Sequence, residues 1–374
     1  MLRFFHWARR VALSATTAAA GLAACSSPAA SWQLISPTGF PLANHRAGAL
    51  LFLDDSTGLL LGSAWSDAAA RTRTVSAEQV STVFRTTDAG RSWQLHVIGK
   101  GRRFTLATRA GRTAYAVELQ EAASGSARDT SRLLRSADGG LSWQLLGRAV
   151  PGRVLTVSFA DTAQGLVLAT DAPPPAPPVL YHTANGGRSW QPARLRRPVP
   201  ALDGVAAPGG TAWLLLAPPG PPRRFADSLA HVNWRSGAVT VEAIPGGHVE
   251  AAPLLDAAGN LWLVSAAADG SARLLQRAAR TGRYTEVHRF VPTHGERLRP
   301  VALHLAGSSV SVLLAADQPQ QPVYRFYRSP DAGRSWQQER LPVGSAAQPY
   351  AFFGPERVWL STGRAQLQVR APRR

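Results

Sequence analysis

Apolar residues in this chain gather into short runs separated by clusters of Gly, Asp, Ala and Pro, and the runs recur in a fixed order. A turn comes first, then a β-rich run, a loop of variable length, and a second β-rich run. The first kind of run occupies Gly58–Leu61, Thr113–Leu119, Gly165–Thr170, Thr211–Ala217, Asn260–Ala266, Ser309–Ala315 and Arg357–Thr362, about 49 residues apart. Turns before it hold residues suited to tight reversals, as in Asp54-Asp55-Ser56-Thr57-Gly58 and Asp256-Ala257-Ala258-Gly259. The second kind occupies Thr82–Thr86, Arg132–Ser136, Val179–Thr183, Ala230–Trp234, Arg273–Arg277, Tyr324–Ser329 and Leu367–Ala371. Seven copies of a two-run unit at a near-constant step predict a radial array of small sheets, not one irregular core. An aromatic recurs within the first run, at Tyr115, Trp213, Trp262 and Trp359, a place that suits packing between units better than a sugar platform.

An octapeptide follows the second run. Thr86-Thr87-Asp88-Ala89-Gly90-Arg91-Ser92-Trp93 returns as Ser136-Ala137-Asp138-Gly139-Gly140-Leu141-Ser142-Trp143. A third copy, Thr183-Ala184-Asn185-Gly186-Gly187-Arg188-Ser189-Trp190, has Asn for Asp, and the fourth is Ser329-Pro330-Asp331-Ala332-Gly333-Arg334-Ser335-Trp336. Worn copies stand at Asn233-Trp234-Arg235-Ser236-Gly237 and Arg280-Thr281-Gly282-Arg283-Tyr284. No copy follows Leu367–Ala371, but Ser31-Trp32-Gln33-Leu34 repeats the Ser-Trp-Gln found after the others. Residues 32–36 are therefore expected to supply the outermost strand of the unit built by the C-terminal segment. The expected fold is all-β: a seven-bladed β-propeller of four-stranded antiparallel blades over residues 31–372, closed by the N-terminal strand pairing with the C-terminal blade.

These octapeptides resemble the Asp-box, or bacterial neuraminidase repeat. That resemblance implies a hairpin between the third and fourth strands, pinned by its Ser and Asp side chains, with Trp tucked beneath. Asp88, Trp93, Asp138, Trp143, Asn185, Trp190, Asp331 and Trp336 are then structural. One carboxylate per turn is too few for a calcium site. Among Asp-box proteins the chain is most similar to the photosystem II stability/assembly factor family. This implies a non-enzymatic factor that docks a membrane-protein partner, partly through an arginine-rich face.

Residues 1–24 read as a signal peptide, with Arg3, Arg9 and Arg10 ahead of a short apolar stretch. Leu22-Ala23-Ala24-Cys25 resembles a bacterial lipobox, which implies a lipidated Cys25, a short linker over residues 25–30, and attachment to a membrane of the cell envelope. Cys25 is the one cysteine, so disulfides and thiol catalysis are excluded. The formal charge of +18 comes almost wholly from Arg. Two readings stand: a GC-rich genome, or a surface that draws anionic partners. No nucleic-acid-binding motif accompanies it.

Sialidases share the Asp-box and set the enzyme alternative. Their site needs three arginines, a Tyr nucleophile backed by Glu, and an Asp acid/base. The nearest Tyr/Glu pair, Tyr284 and Glu286, falls on an outer strand, and none of Ile35, Ile98 and Ile244 follows an Arg. His288, His294 and Glu296 lack zinc-ligand spacing, and no phosphate loop is present, so neither metal nor cofactor is expected. With strands lettered A to D from the axis outward, the D-to-A connections collect the candidate ligand-binding residues: Arg46, Arg102, Arg103, Arg153, Arg196, Arg197, Arg297 and Arg299. Pro-rich B-to-C loops, such as Pro173–Pro178 and Pro218–Pro222, would wall the same side. The expectation is an envelope lipoprotein that binds a protein partner, an anionic one suiting this face, with glycan binding or hydrolysis as the alternative.

Overall fold

The computed structural model describes residues 31–35, 45–65, 79–121, 129–170, 177–218, 225–293, 295–317, 323–339, 341, 345–362 and 367–371. Residues 1–24, expected to form a signal peptide, Cys25 and most of the Pro-rich loops lie outside them. Every regular element among the described residues is a strand, and the strands form seven sheets. First in the chain is β1 (Ser31–Ile35). Blade 1 comprises β2 (His45–Phe52), β3 (Gly58–Trp65), β4 (Gln79–Thr86) and β5 (Gln94–Lys100). Blade 2 comprises β6 (Arg103–Ala110), β7 (Thr113–Gln120), β8 (Thr130–Ser136) and β9 (Gln144–Pro151). Blade 3 has β10 (Arg153–Phe159), β11 (Gly165–Thr170), β12 (Val179–Thr183) and β13 (Gln191–Pro192), and blade 4 has β14 (Ala201–Ala207), β15 (Thr211–Leu216), β16 (Ser228–Asn233) and β17 (Ala238–Ala243). In blade 5 the inner strand is broken into β18 (His248–Val249) and β19 (Leu254–Leu255), both pairing β20 (Leu261–Ala266), followed by β21 (Ala272–Arg277) and β22 (Tyr284–Phe290). Blade 6 has β23 (Leu298–Ala306), β24 (Ser309–Ala316), β25 (Val323–Ser329) and β26 (Gln337–Glu339). Blade 7 has β27 (Ser345–Phe353), β28 (Arg357–Thr362) and β29 (Leu367–Ala371).

The fourth strand of blade 7 is β1, which runs antiparallel to β29 from Ser31↔Ala371 to Ile35↔Leu367. Inner strands touch in sequence around the axis, and β2 of blade 1 meets β27 of blade 7. The molecule is thus a closed seven-bladed β-propeller. Connections from an outer strand to the next inner strand emerge on one face, the loop face, the stretch after the short β13 excepted. The third-to-fourth-strand hairpins lie on the opposite, hairpin face.

Each blade is wedged between two others, which explains why its second strand is apolar on both sides: β20 and β24 are buried along their whole length. Seven clusters of buried side chains fill the seven seams between blades. Tyr115 and Trp359 are fully buried there, stacked on Phe159 and Phe52 of the following blades at 3.8 and 3.5 Å between centroids. The recurrent aromatic is seam packing.

The repeated octapeptide makes one hairpin four times. In the first, the Thr86 hydroxyl accepts the Gly90 N–H (2.9 Å) and donates to Asp88 Oδ1 (2.8 Å). Asp88 accepts the Ser92 N–H (2.9 Å) and hydroxyl (2.6 Å), while Trp93 Nε1 donates to Gly90 O (3.0 Å). Asn185 accepts the Ser189 N–H in the same way (2.9 Å). The closing seam has a lock of its own. Arg370 on β29, only 2% exposed, donates to both oxygens of Glu339 in blade 6 (2.6 and 2.6 Å) and to Glu356 (2.9 Å). Glu339 also accepts Trp32 Nε1 from β1 at 3.1 Å, so a single carboxylate ties together both terminal strands and the neighbouring blade.

Candidate functional site

On the loop face, Arg46, Arg103 and Arg153 stand at the starts of inner strands of blades 1, 2 and 3, with Arg102 just ahead of Arg103. Arg297 and Arg299 stand at the same place in blade 6. Most of this charge is answered locally. Arg103 pairs with Glu121 (2.6 Å), and Arg153 with Asp129 (3.4 Å) and Glu121 (3.6 Å). Arg299 pairs with Asp317 (2.9 Å) and Glu250 (3.4 Å), and Arg102 donates to Gln120. Arg46 and Arg297 are exposed and form no ion pair among the described residues. Arg196 and Arg197 are not brought to this group. They run along the rim of blade 4: the Arg196 N–H donates to Gly237 O (2.9 Å) in the hairpin of that blade, and Arg197 to Val239 O (3.4 Å).

At the axis, Asp203 on β14 accepts the Thr156 hydroxyl (2.5 Å) and the Gly204 N–H (2.7 Å). Burial raises its carboxyl above the ordinary range. Tyr350 of blade 7 is raised too, first by burial and then by Asp203. Sequence spacing gives no sign that Asp203 acts on Tyr350, because the two residues lie three blades apart.

A third grouping lies in the seam between blades 4 and 5. A cleft of about 390 Å³ is lined by Trp213, His231, Thr240, Glu242, Leu261 and Arg277, among others. Arg277 donates twice to Glu242 (2.5 and 2.9 Å) and covers the Trp213 ring at 4.4 Å from its centroid. The partner of Tyr284 is Glu242, which accepts its hydroxyl at 2.6 Å; Glu286 instead holds Arg289 (2.9 Å). Burial and then that carboxylate push the Tyr284 phenol above its usual range, and burial lowers His231. The cleft has a structural origin. Trp93, Trp143, Trp190, Trp234, Trp336 and Trp32 each pack into one of the other six seams, whereas this one receives Tyr284.

Among the described residues no group of three or more His, Cys, Asp and Glu is placed to hold a metal ion, and no helix is long and apolar enough to cross a membrane.

The sequence matches no protein-family model and no curated protein. Solved structures are similar in fold. YCF48 bound to a D1 peptide aligns with a TM-score of 0.58 at 16% identity, over 91% of this chain and 95% of that one. A PL25 ulvan lyase bound to -[GlcA(1-4)Rha3S]- gives 0.50 at 10% identity, over 90% and 95%. A chain of the mitotic checkpoint complex gives 0.50 at 8% identity, over 99% and 98%. Identities this low establish shared architecture and leave function to the residues.

Proposed function

We propose that this protein is a non-enzymatic, lipid-anchored propeller of the bacterial cell envelope that binds a protein partner through its loop face. The carrying observation is the gathering of Arg46, Arg102, Arg103, Arg153, Arg297 and Arg299 at the starts of inner strands on that one face. Arg46 and Arg297 are left to meet carboxylates from outside. The propeller of YCF48, solved with a peptide bound, and the sequence resemblance to the photosystem II stability/assembly factor family favour the same reading. A lipid on Cys25 would supply the anchor. Reversing both unanswered charges (R46E with R297E) is expected to cut recovery of cross-linked envelope partners about tenfold, while R280E with R283E on the hairpin face leaves it unchanged. Equal recovery from all three proteins would end the proposal. Blocking lipidation with Cys25→Ser should move the protein from the membrane fraction to the soluble one.

One observation favours a second reading, glycan binding or cleavage: the Glu242–Arg277–Tyr284 cluster beside Trp213 in the cleft between blades 4 and 5. Against cleavage, Arg277 and Tyr284 already occupy the Glu242 carboxylate, which leaves it poorly placed to act as a base. Screening a glycan array and fluorogenic glycosides decides it. Binding or turnover lost in Glu242→Gln would establish this reading, and silence in both assays would retire it.

A further inference from the structure

We infer that the cavity beside the third repeat hairpin is a binding site for a tetrahedral oxyanion, phosphate or sulfate. It lies on the hairpin face between blades 2 and 3, away from the proposed docking surface, and does not depend on that reading. Its volume is about 220 Å³, and its lining includes Arg135, Gln144, Thr162, Asn185, Gly186 and Arg188. That is small for an organic cofactor but sufficient for an ion with part of its water.

Three features converge here, one of them a departure from the repeat. The first concerns Arg135. Its counterpart in blade 1, Arg85, faces the next hairpin from the same register and donates Nε to Gly139 O at 2.8 Å. Arg135 has no ion pair among the described residues, and its guanidinium lies beside the hydroxyl of the fully buried Tyr115. The second is Asn185, which stands where three sister hairpins hold a carboxylate. In those hairpins the serine hydroxyl donates to Asp, at 2.6, 2.5 and 2.6 Å. In the third hairpin the Ser189 N–H fixes Asn185 Oδ1, so Nδ2 donates to Ser189 Oγ (2.9 Å) and the serine proton is released to donate elsewhere. The third is Arg188, exposed on the rim of the cavity and without an ion pair among the described residues.

No carboxylate lines the cavity. The nearest in sequence, Asp161, spends its oxygens inside its own turn on the Ala163 and Gln164 N–H groups (2.7 and 2.7 Å) and on Gln164 Nε2 (3.4 Å). The cavity lining therefore offers two guanidinium forks and neutral hydrogen-bonding groups, while the neighbouring Asp161 carboxylate is engaged in its own turn, and this is chemistry that favours an oxyanion.

Asn185→Asp provides the test, because it restores the side chain that the sister hairpins already carry and so preserves the fold. Titrating the full chain with sodium phosphate and with sodium sulfate, by calorimetry and by thermal shift at constant ionic strength, is expected to show saturable binding. Asn185→Asp should weaken it about tenfold through one added negative charge on the cavity wall, without lowering the melting temperature of the ion-free protein. Arg188→Gln should weaken it comparably, and Arg85→Gln should leave it unchanged. Vesicles of phosphatidylcholine with and without phosphatidic acid then distinguish a lipid headgroup from the free ion. Binding that requires phosphatidic acid and is lost in Asn185→Asp assigns the headgroup; vesicle binding indifferent to Asn185→Asp assigns the free ion. Absence of saturable binding of either ion, or equal affinity in Asn185→Asp and the parent, would overturn the inference.

Discussion

Asp138 and Asp331 show how much one side chain does in a repeat hairpin. Burial nudges the Asp138 carboxyl upward, but the Ser142 hydroxyl and N–H and the Ser136 hydroxyl outweigh it and hold the group at about 2. Asp331 is held at about 2 by the Ser335 hydroxyl and N–H and by Ser329. An unfolded Asp titrates near ~3.9, so the folded chain binds fewer protons between these values. The stabilisation is complete above about pH 4 and is lost as pH falls toward 2. Denaturant midpoints measured from pH 5 to pH 2 should therefore fall with acid, and fall less steeply in Asp138→Asn with Asp331→Asn. A second residue-level expectation concerns Gly140, at φ +89°, where a Cβ would run into Leu59. Gly140→Ala should cost about 1–3 kcal/mol in chemical denaturation. These roles were legible in the sequence because each hairpin contact is local, two to four residues apart. The Glu242–Tyr284 contact spans two blades, so sequence proximity pointed to Glu286 instead.

At the scale of elements, the second and third strands of every blade were legible, because each shows an apolar run bounded by turn residues. The inner strands were not. Five of them carry a single-residue bulge, at Gly48, Thr105, Leu155, Leu202 and Val301, and these residue types share nothing a pattern could detect. A bulge bends a strand and increases its twist, and here it recurs where strands crowd the axis. The broken inner strand of blade 5 is the same device taken further. Seam indoles carry much of the packing energy. Trp93 is 5% exposed, and Trp93→Ala should destabilise by about 3–5 kcal/mol, read from urea midpoints. The face assignment of Arg196 and Arg197 failed at this scale. The outer strand of blade 3 is only two residues long, so the connection after it drops along the rim of the next blade instead of rising to the loop face.

For the whole molecule, closure was the most legible property, since a ring completed by its own N-terminal strand leaves a Ser-Trp-Gln at the opposite end of the chain from the blade it finishes. Its energetic expression is Glu339, shared by Trp32 and Arg370. Removing Arg370 takes a buried guanidinium away from the partly exposed Glu339 and Glu356 carboxylates, so Arg370→Ala should cost about 1–3 kcal/mol. Deleting residues 31–35 bares an edge of β29 and should convert a monodisperse protein into aggregates on size-exclusion chromatography. Loss of Arg370 with an unchanged midpoint would show that the ring does not depend on this lock.

The direction of β1 also fixes an orientation. Ser31 pairs with Ala371 at the hairpin end of blade 7, so the preceding chain enters from that side. With an acyl group on Cys25 and a tether of so few residues, the ring would sit like a coin held near its lower edge, hairpins toward the bilayer and the opposite surface turned to the aqueous compartment. A partner recognised there would have to reach outward from the lipid to be caught, whereas the arginines beside Asn185 would look down on the headgroups.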